Sequence, residues 1–332
     1  MASSSLNPAQ IFASRFSRRL DGRSIMPFAD FMDLALYDPE IGYYRSDRVR
    51  VGRTPESDFY TAETHREVFS ALVSAGAINR LGNRDPHTFT FVEVGAEPNG
   101  GILPEALTRF GASSSIGIGD ALQLPDRTIC FSNELFDAQP FHRVIRRKNR
   151  WIELGVTLDG LTPVWTELDG LSPPVDRIRD DLPNRISDGY TIDLPIAARK
   201  LMRRMVRPDW QGILIAVDYG KGWPALCEEW PEGTSRAYKN HQQHNDLLAN
   251  PGEQDLTCHI CWDWMIEELH DFGFADVRIE SQESFFMKNA TTVIEEIISD
   301  PAGPLDERHG QLKSLLHPGI LGQKFQVLSA VR

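Results

Sequence analysis

The spacing of apolar positions changes along the chain, and the change predicts a helical beginning followed by an α/β domain. Apolar residues near the start recur at helical spacing: Ile11, Phe12, Phe16 and Leu20. Beyond residue 86, short apolar runs alternate with helical patterns, which predicts a doubly wound, Rossmann-like parallel sheet. We therefore divide the chain into a helical N-terminal extension, 1–85, and an α/β domain, 86–332.

The α/β pattern begins with a strand over 89–94, a glycine-containing loop over 95–101 and a helix over 102–110. Only one further short strand, 115–118, precedes the strand over 128–131. A continuous apolar strand over 212–218 ends in Asp218.

Two insertions interrupt this pattern, at about 141–190 and 219–260. The first predicts an antiparallel lobe, with Asp159-Gly160 as a hairpin turn. The second shows little periodicity but many polar and aromatic residues. It is typical of a segment that covers a substrate, or it contains elements that the pattern does not reveal.

The composition and charge of the chain restrict the classes of partner and the compartment that we expect. The 332 residues carry a net charge of −12, which disfavours general nucleic-acid binding because phosphate contacts need basic surface. No apolar run approaches the ~18 residues of a membrane-spanning helix. Four cysteines do not form a disulfide framework in a chain of this length, so a reducing compartment is the better interpretation.

Three strand ends carry candidate chemistry. Gly95 and its loop would let a ligand approach the backbone before a helix N-terminus, although such a turn is equally often a tight connection. Asn133 and Glu134 follow the next strand, where Glu134 could pair with a guanidinium group; the alternative is a helix start capped by Asn133. Asp218 and Tyr219 end the apolar strand, or simply form a turn there.

The spacing of four residues resembles a zinc site: His241, His244, Cys258 and Cys261. Neighbouring Ile260 and Trp262 favour packing instead, so we predict no metal. Neither a Gly-x-Ser-x-Gly elbow nor a Walker loop occurs, which removes the main signals of hydrolases and nucleotide triphosphatases.

Several segments, in the right order over nearly the whole chain, resemble the MidA family of class I S-adenosylmethionine-dependent methyltransferases. They are FMDLALYDPEIGYY at 31–44, DFYTA at 58–62, SNELFDAQP at 132–140, DYG at 218–220, GTSRAY at 233–238, PGEQDLT at 251–257 and LGQKFQVL at 321–328.

The resemblance implies a methyltransferase sheet with a helical N-terminal extension and an inserted lobe, and methyl transfer to protein arginine. It implies cofactor binding by Asp58, Thr61, Glu93, Gly95, Asn99, Gly100, Gly101 and Asp120. As catalytic candidates we take Glu134 as the guanidinium clamp, then Asn133, Asp218 and His241.

The cofactor half departs from the family pattern. Its loop reads EVGAEPNGGIL at 93–103, where Glu97 and Pro98 oppose binding of a carboxylate. Only one strand is predicted between Gly95 and Asn133, so we expect the strand that bears the ribose-binding acid to be missing, although Asp120 could replace that acid. We therefore expect S-adenosylmethionine to bind weakly or not at all. A catalytically impaired relative that acts as an assembly or interaction protein is the alternative function.

The expected partner is a protein with an exposed arginine, with a homodimer left open. Because the family's first helix already begins near residue 6, too little sequence precedes it for a transit peptide of ~15–30 residues. We expect the bacterial cytoplasm rather than the mitochondrial matrix.

Overall fold

The computed structural model describes most of the chain, and all structural statements concern the residues 7–45, 62–96, 101–102, 109–240, 242–300 and 307–332. The strands are β1 Met26–Pro27, β2 Thr90–Val94, β3 Ala112–Ile116, β4 Arg127–Asn133, β5 His142–Arg147, β6 Arg150–Asp159, β7 Thr162–Glu167, β8 Thr191–Leu194, β9 Gln211–Asp218, β10 Gly220–Lys221, β11 Arg236–Lys239, β12 Gln242–His244, β13 Asp255–Thr257, β14 Ile260–Cys261, β15 Ala275–Ser281 and β16 Gln326–Val331.

The α-helices are Pro8–Leu20, Phe28–Tyr37, Arg66–Leu81, Pro173–Asp176, Ile196–Val206, Trp223–Glu228, Trp262–Asp271, Gln282–Asn289, Thr291–Ile298 and Glu307–Leu316. Among the described residues, no helix combines the length and the apolar character needed to cross a membrane.

The largest sheet has six strands in the order β15–β16–β9–β4–β2–β3. Strands β3, β2, β4 and β9 run parallel, whereas β16 pairs antiparallel with both β9 and β15. Alternate residues of β9 face opposite sides: Ile213 and Ile215 pack into one core cluster, and Leu214 and Ala216 pack into the other. Helices cover both faces, which explains the continuous apolar run of β9 and confirms the predicted doubly wound class.

The position of β3 corrects one expectation. β3 pairs directly with β2 in parallel register, from Thr90 opposite Ala112 to Val94 opposite Ile116. In doubly wound sheets the second strand along the chain lies beside the first, and the third lies outside it. The expectation that the strand next to the glycine loop is missing is therefore wrong. In the part of the chain that the structure describes, it is an outer third strand that is absent, and β3 forms the sheet edge.

The N-terminal region packs in two different places. The two helices Pro8–Leu20 and Phe28–Tyr37 share a core cluster with Phe141 and Val156 of the inserted lobe. The helix Arg66–Leu81 packs instead against the six-stranded sheet. The domain limits that we place at residue 85 remain predictions.

The first insertion forms the expected antiparallel lobe, in which β6 pairs with β1, β5 and β7, and β5 also pairs with β8. The second insertion is more ordered than its sequence suggested. It contains the helix Trp223–Glu228 and a small antiparallel sheet in the order β12–β11–β13. These elements are short, so neither a helical nor an alternating pattern extends far enough to be recognised.

Candidate functional site

Polar loops from three neighbouring strands meet at one end of the six-stranded sheet. Strand β4 lies between β2 and β9, and the carboxyl ends of all three point the same way. The Glu134 amide donates a hydrogen bond to the Val217 carbonyl at 2.9 Å, which joins the loops after β4 and β9. A Cβ added at Gly95 would lie 2.7 Å from Leu135 Cδ1, so the glycine loop also contacts this group. Ligands of doubly wound sheets bind at such a crevice.

The glycine loop after β2 is closed by a buried carboxylate. Glu93 Oε2 accepts a hydrogen bond from the Ile102 amide at 2.8 Å, nine residues along the chain. Gly101 has φ +83°, and a Cβ there would lie 2.7 Å from the same oxygen. Gly95 also has a positive φ, +88°. Both glycines therefore occupy backbone conformations that other residues rarely adopt, and they keep the loop close to the strand ends.

Asp120 follows β3, the strand beside the glycine loop. Its Oδ2 accepts a hydrogen bond from the Gly117 amide at 2.8 Å, which fixes the turn between them. The side chain is exposed, on the same end of the sheet as Gly95. Asp120 thus lies after the strand that is second along the chain, the place where the resemblance implies a ribose-binding acid.

The segment after β4 is a turn and not a helix. The alternative of a helix start capped by Asn133 is wrong, since none of the helices found in the described segments begins there. Glu134 has φ +48°, a left-handed conformation that is uncommon for a residue with a side chain and is found preferentially at functional sites. Its Oε1 accepts a hydrogen bond from Asn133 Nδ2 at 3.3 Å.

Asp218 is fully buried and organises the loops around it. Its Oδ2 accepts the Phe136 amide, and its Oδ1 accepts the Tyr219 amide, each at 2.9 Å. Burial raises the pKa of its carboxyl well above the ordinary value, and the charge of Asp137 raises it further. These contacts support a positioning role for Asp218, whose predicted catalytic role is not tested by them.

Asp137 is a second buried carboxyl in the same crevice, and the sequence did not single it out. Its side chain shares a hydrogen bond with Tyr219. Burial raises the pKa of Asp137 to about 6, against the lowering effect of that hydrogen bond. Its backbone carbonyl accepts the Cys258 amide at 3.0 Å, which ties the turn after β4 to the second insertion.

Tyrosines from the N-terminal region and the second insertion line this acidic crevice. The Tyr37 hydroxyl donates to the Ala138 carbonyl, and the Tyr44 hydroxyl donates to Asp255 Oδ1, each at 2.9 Å. Tyr37 and Tyr44 stack with ring centroids 5.4 Å apart. Burial raises the pKa of Tyr44 and of Tyr238, and the Asp137 charge contributes to both shifts.

The GTSRAY segment is anchored by a buried ion pair. Asp193 Oδ2 accepts the amides of Thr234 and Ser235 at 2.7 and 2.8 Å, while Asp193 Oδ1 pairs with Arg143 at 2.8 Å. Thr234 in turn accepts the His259 amide at 3.1 Å. The His259 ring contacts Tyr219, which connects this segment to the crevice.

The thiols of the zinc-like pattern lie apart. Cys258 packs in the cluster with the N-terminal helices, whereas Cys261 packs in the cluster of the inserted lobe. His244 Nδ1 accepts the Asp246 amide at 3.3 Å. No group of three or more metal-ligating side chains occurs in the described segments, which do not include His241. The prediction that no metal binds here stays a prediction.

Several sequence-predicted residues lie outside the described residues: Asp58, Thr61, Asn99, Gly100 and His241, together with Glu97 and Pro98. The structure brings Glu93, Gly95 and Gly101 to one loop, and Asn133, Glu134 and Asp218 to the adjacent crevice. Sequence reasoning missed Asp137, Tyr44 and Asp255 as site residues. Their only signal was membership in the segments that resemble the family.

Comparison with known proteins agrees with this geometry. Residues 117–277 match the family model described as "Putative S-adenosyl-L-methionine-dependent methyltransferase". The match spans β4, β9 and the turn that contains Glu134 and Asp137. Over this segment, which is just under half of the chain, the protein is similar to this methyltransferase family.

Curated proteins similar to this chain are named protein arginine methyltransferase NDUFAF7, mitochondrial. The protein from Xenopus tropicalis is 24% identical over 60% of this chain and 46% of its own length. That from Danio rerio is 24% identical over 61% of this chain and 47% of its own length. The chain thus spans about half the length of the curated relatives it matches.

Two solved structures from Burkholderia thailandensis share the fold. One is a methyl transferase candidate bound to S-adenosyl-homocysteine; it is 21% identical, with a TM-score of 0.82 over 98% of this chain and 92% of that one. The other is a native structure that is 20% identical, with a TM-score of 0.80 over the same shares. The same fold is therefore found in these proteins at low sequence identity.

Proposed function

We propose that the chain binds S-adenosylmethionine and transfers its methyl group to an arginine side chain of a protein. The observation that carries the proposal is the crevice itself: Glu134, Asp137 and Asp218 come together beside a glycine loop on a sheet of methyltransferase order. The names of the relatives, arginine methyltransferases, support the same assignment.

The described residues of the cofactor half fit S-adenosylmethionine. Gly95 and Gly101 leave no room for a Cβ, because Leu135 and Glu93 lie against them, so both positions of this strand-to-helix loop require glycine. Glu93 holds the loop through Ile102. Asp120 follows the strand beside the loop and can accept hydrogen bonds from ribose hydroxyls.

This fit removes the main ground for expecting weak binding. That expectation rested first on the loss of the strand beside the glycine loop, and β3 occupies that position. The same correction weakens the alternative of a non-catalytic assembly protein. Weak binding had two further grounds, Glu97 and Pro98, which lie outside the described residues.

When bound, S-adenosylmethionine supplies an electrophilic methyl group. The protein's task is then to hold an arginine nitrogen in line with that methyl, and to do so away from water. Glu134 provides a carboxylate that can accept two parallel hydrogen bonds from a guanidinium group. The surrounding tyrosines and carboxylates favour a cation in the crevice through ring faces and negative charge.

The partner proposed is a protein. The net charge of −12 supports this choice over a nucleic acid. Whether the chain forms a homodimer can be tested by measuring the molar mass of the purified chain in solution.

A methyl-transfer assay tests the proposal. Purified protein is incubated with S-adenosylmethionine labelled in the methyl group and with an extract of cells that lack the gene. The proposal expects label in methylarginine after acid hydrolysis of the extract proteins. Label confined to another amino acid, or absent although the protein is folded, would contradict it.

A further inference from the structure

Asp137 is a buried carboxylate with an incomplete set of partners. Its residue is 3% exposed, and its carboxylate is stabilised by hydrogen bonds with Tyr219 and with the backbone at Asp137 and Ala138. Its Oδ1 is inaccessible to solvent and accepts no hydrogen bond from any residue that the structure describes. An unsatisfied buried oxygen of this kind is costly, so its retention calls for a specific explanation.

The charge of Asp137 is also poorly compensated. The titratable and charged groups that face it are Tyr219, Asp218, Tyr44, Tyr238, Cys258 and Lys324. Lys324 is the one cation among them, and it is exposed. Within the described part of the chain Asp137 forms no ion pair. The site is therefore suited to a cationic ligand.

The geometry assigns Asp137 as the group that accepts the proton released by the arginine nitrogen, an inference that rests on the proposed function. The nitrogen forms its bond to the methyl carbon while the sulfur–methyl bond breaks and its electron pair stays on sulfur. The N–H bond of that nitrogen breaks, and the proton passes to Asp137 Oδ1. The products are a methylated guanidinium group, S-adenosylhomocysteine and a neutral Asp137.

Two carboxylates in one crevice can have different roles, one as a charged clamp and one as a proton acceptor, because their surroundings differ. Glu134 is half-buried and interacts with Asn133, which suits a charged clamp. Asp137 is buried, and burial raises its pKa to about 6. It is thus ionised near neutral pH and yet able to take a proton. Tyr219 is the positioning residue, because its hydrogen bond orients the Asp137 carboxyl.

The first test compares methyl transfer by wild type, Asp137→Asn and the control Asp271→Asn, which changes an exposed acid on the helix Trp262–Asp271. We expect Asp137→Asn to lower kcat by roughly 10²–10⁴-fold. The dissociation constant for S-adenosylhomocysteine should stay unchanged. Wild-type kcat should fall as the pH drops through about 6, because protonated Asp137 cannot accept a proton; the variant should lack this step.

The second test uses stability and not activity. A carboxyl whose pKa is raised on folding stabilises the protein at low pH, and this contribution is lost as the pH rises through the folded-state pKa. Between about pH 4 and about pH 7, wild type should therefore lose more free energy of unfolding than Asp137→Asn. Tyr219→Phe should fold, bind S-adenosylhomocysteine and show a smaller loss of kcat than Asp137→Asn.

The outcomes separate the two claims. If wild type transfers no methyl group to arginine, the proposed function fails and the inference falls with it. If wild type is active and Asp137→Asn retains its rate and pH profile, the inference alone is wrong. A variant that loses activity only because it unfolds, with Tyr219→Phe fully active, also overturns it.

Discussion

Each half of the crevice has one buried carboxylate at a strand end, and the two act over different distances. Glu93 in the cofactor half binds the Ile102 amide, nine residues away in its own loop. Asp218, in the half of the crevice around Glu134, binds the Phe136 amide, 82 residues away in the loop after the neighbouring strand. The glycine loop is therefore organised by neighbouring residues, whereas the crevice around Glu134 forms only when distant segments pack together.

The difference has consequences for stability. Loss of a local loop contact affects mainly that loop. Loss of the Asp218 contacts releases the turn that carries Glu134 and Asp137. Changes in the crevice around Glu134 should therefore reduce both stability and methyl transfer, while changes in the glycine loop should reduce mainly ligand affinity.

The largest effect is expected for Asp218→Ala. The change leaves the buried amides of Phe136 and Tyr219 without acceptors, at a cost of ~1–3 kcal/mol each. We expect the free energy of unfolding in urea at neutral pH to fall by about 3 kcal/mol. Asp218→Asn is the control, since its amide oxygen still accepts one of the two bonds. Equal stability of Asp218→Ala and wild type would show that the two loops are not held in this way.

Next comes Glu134→Gln, which should leave folding intact and strongly reduce arginine methylation. The change removes the charge of a guanidinium contact worth ~1.5–3 kcal/mol, so we expect a loss of at least about tenfold in kcat/KM. Glu295→Gln, at an exposed helical position, is the matched control. A large drop in melting temperature for Glu134→Gln would reveal a structural role, contrary to this prediction.

The smallest effect is expected in the cofactor half, for Gly101→Ala. Its φ of +83° strains an alanine by ~1–2 kcal/mol, and the new Cβ would meet Glu93 Oε2. Calorimetry should show S-adenosylhomocysteine binding weakened roughly tenfold, with a smaller fall in melting temperature than for Asp218→Ala. Gly160→Ala shares a positive φ, +62°, but has open space around it, so it controls for backbone strain far from the crevice. Unchanged affinity in Gly101→Ala would separate this loop from the ligand.

The same contrast explains what the sequence could predict. The glycine loop, the apolar strands and the sheet class depend on neighbouring residues, so periodicity and turn chemistry reveal them. The turn at Glu134 was open to a helical interpretation because its left-handed φ accompanies a hydrogen bond to Val217, far along the chain. No local pattern contains that bond.

The residues that line the crevice around Glu134 were still harder to predict from the sequence. Tyr44 and Asp255 form one hydrogen bond although 211 residues separate them. Neither residue stands out by spacing, and only the resemblance of their segments to the methyltransferase family placed both in important regions. The missing-strand error had a similar origin, since one sequence cannot show which neighbour a lone strand such as β3 will pair with.

Calorimetric titration of the purified chain with S-adenosylmethionine and S-adenosylhomocysteine tests the central claim most directly. The account predicts saturable binding of both at a single site per chain, with dissociation constants in the micromolar range and a rise in melting temperature on binding. Absence of heat and of any thermal shift at millimolar ligand, with the protein folded, would contradict it.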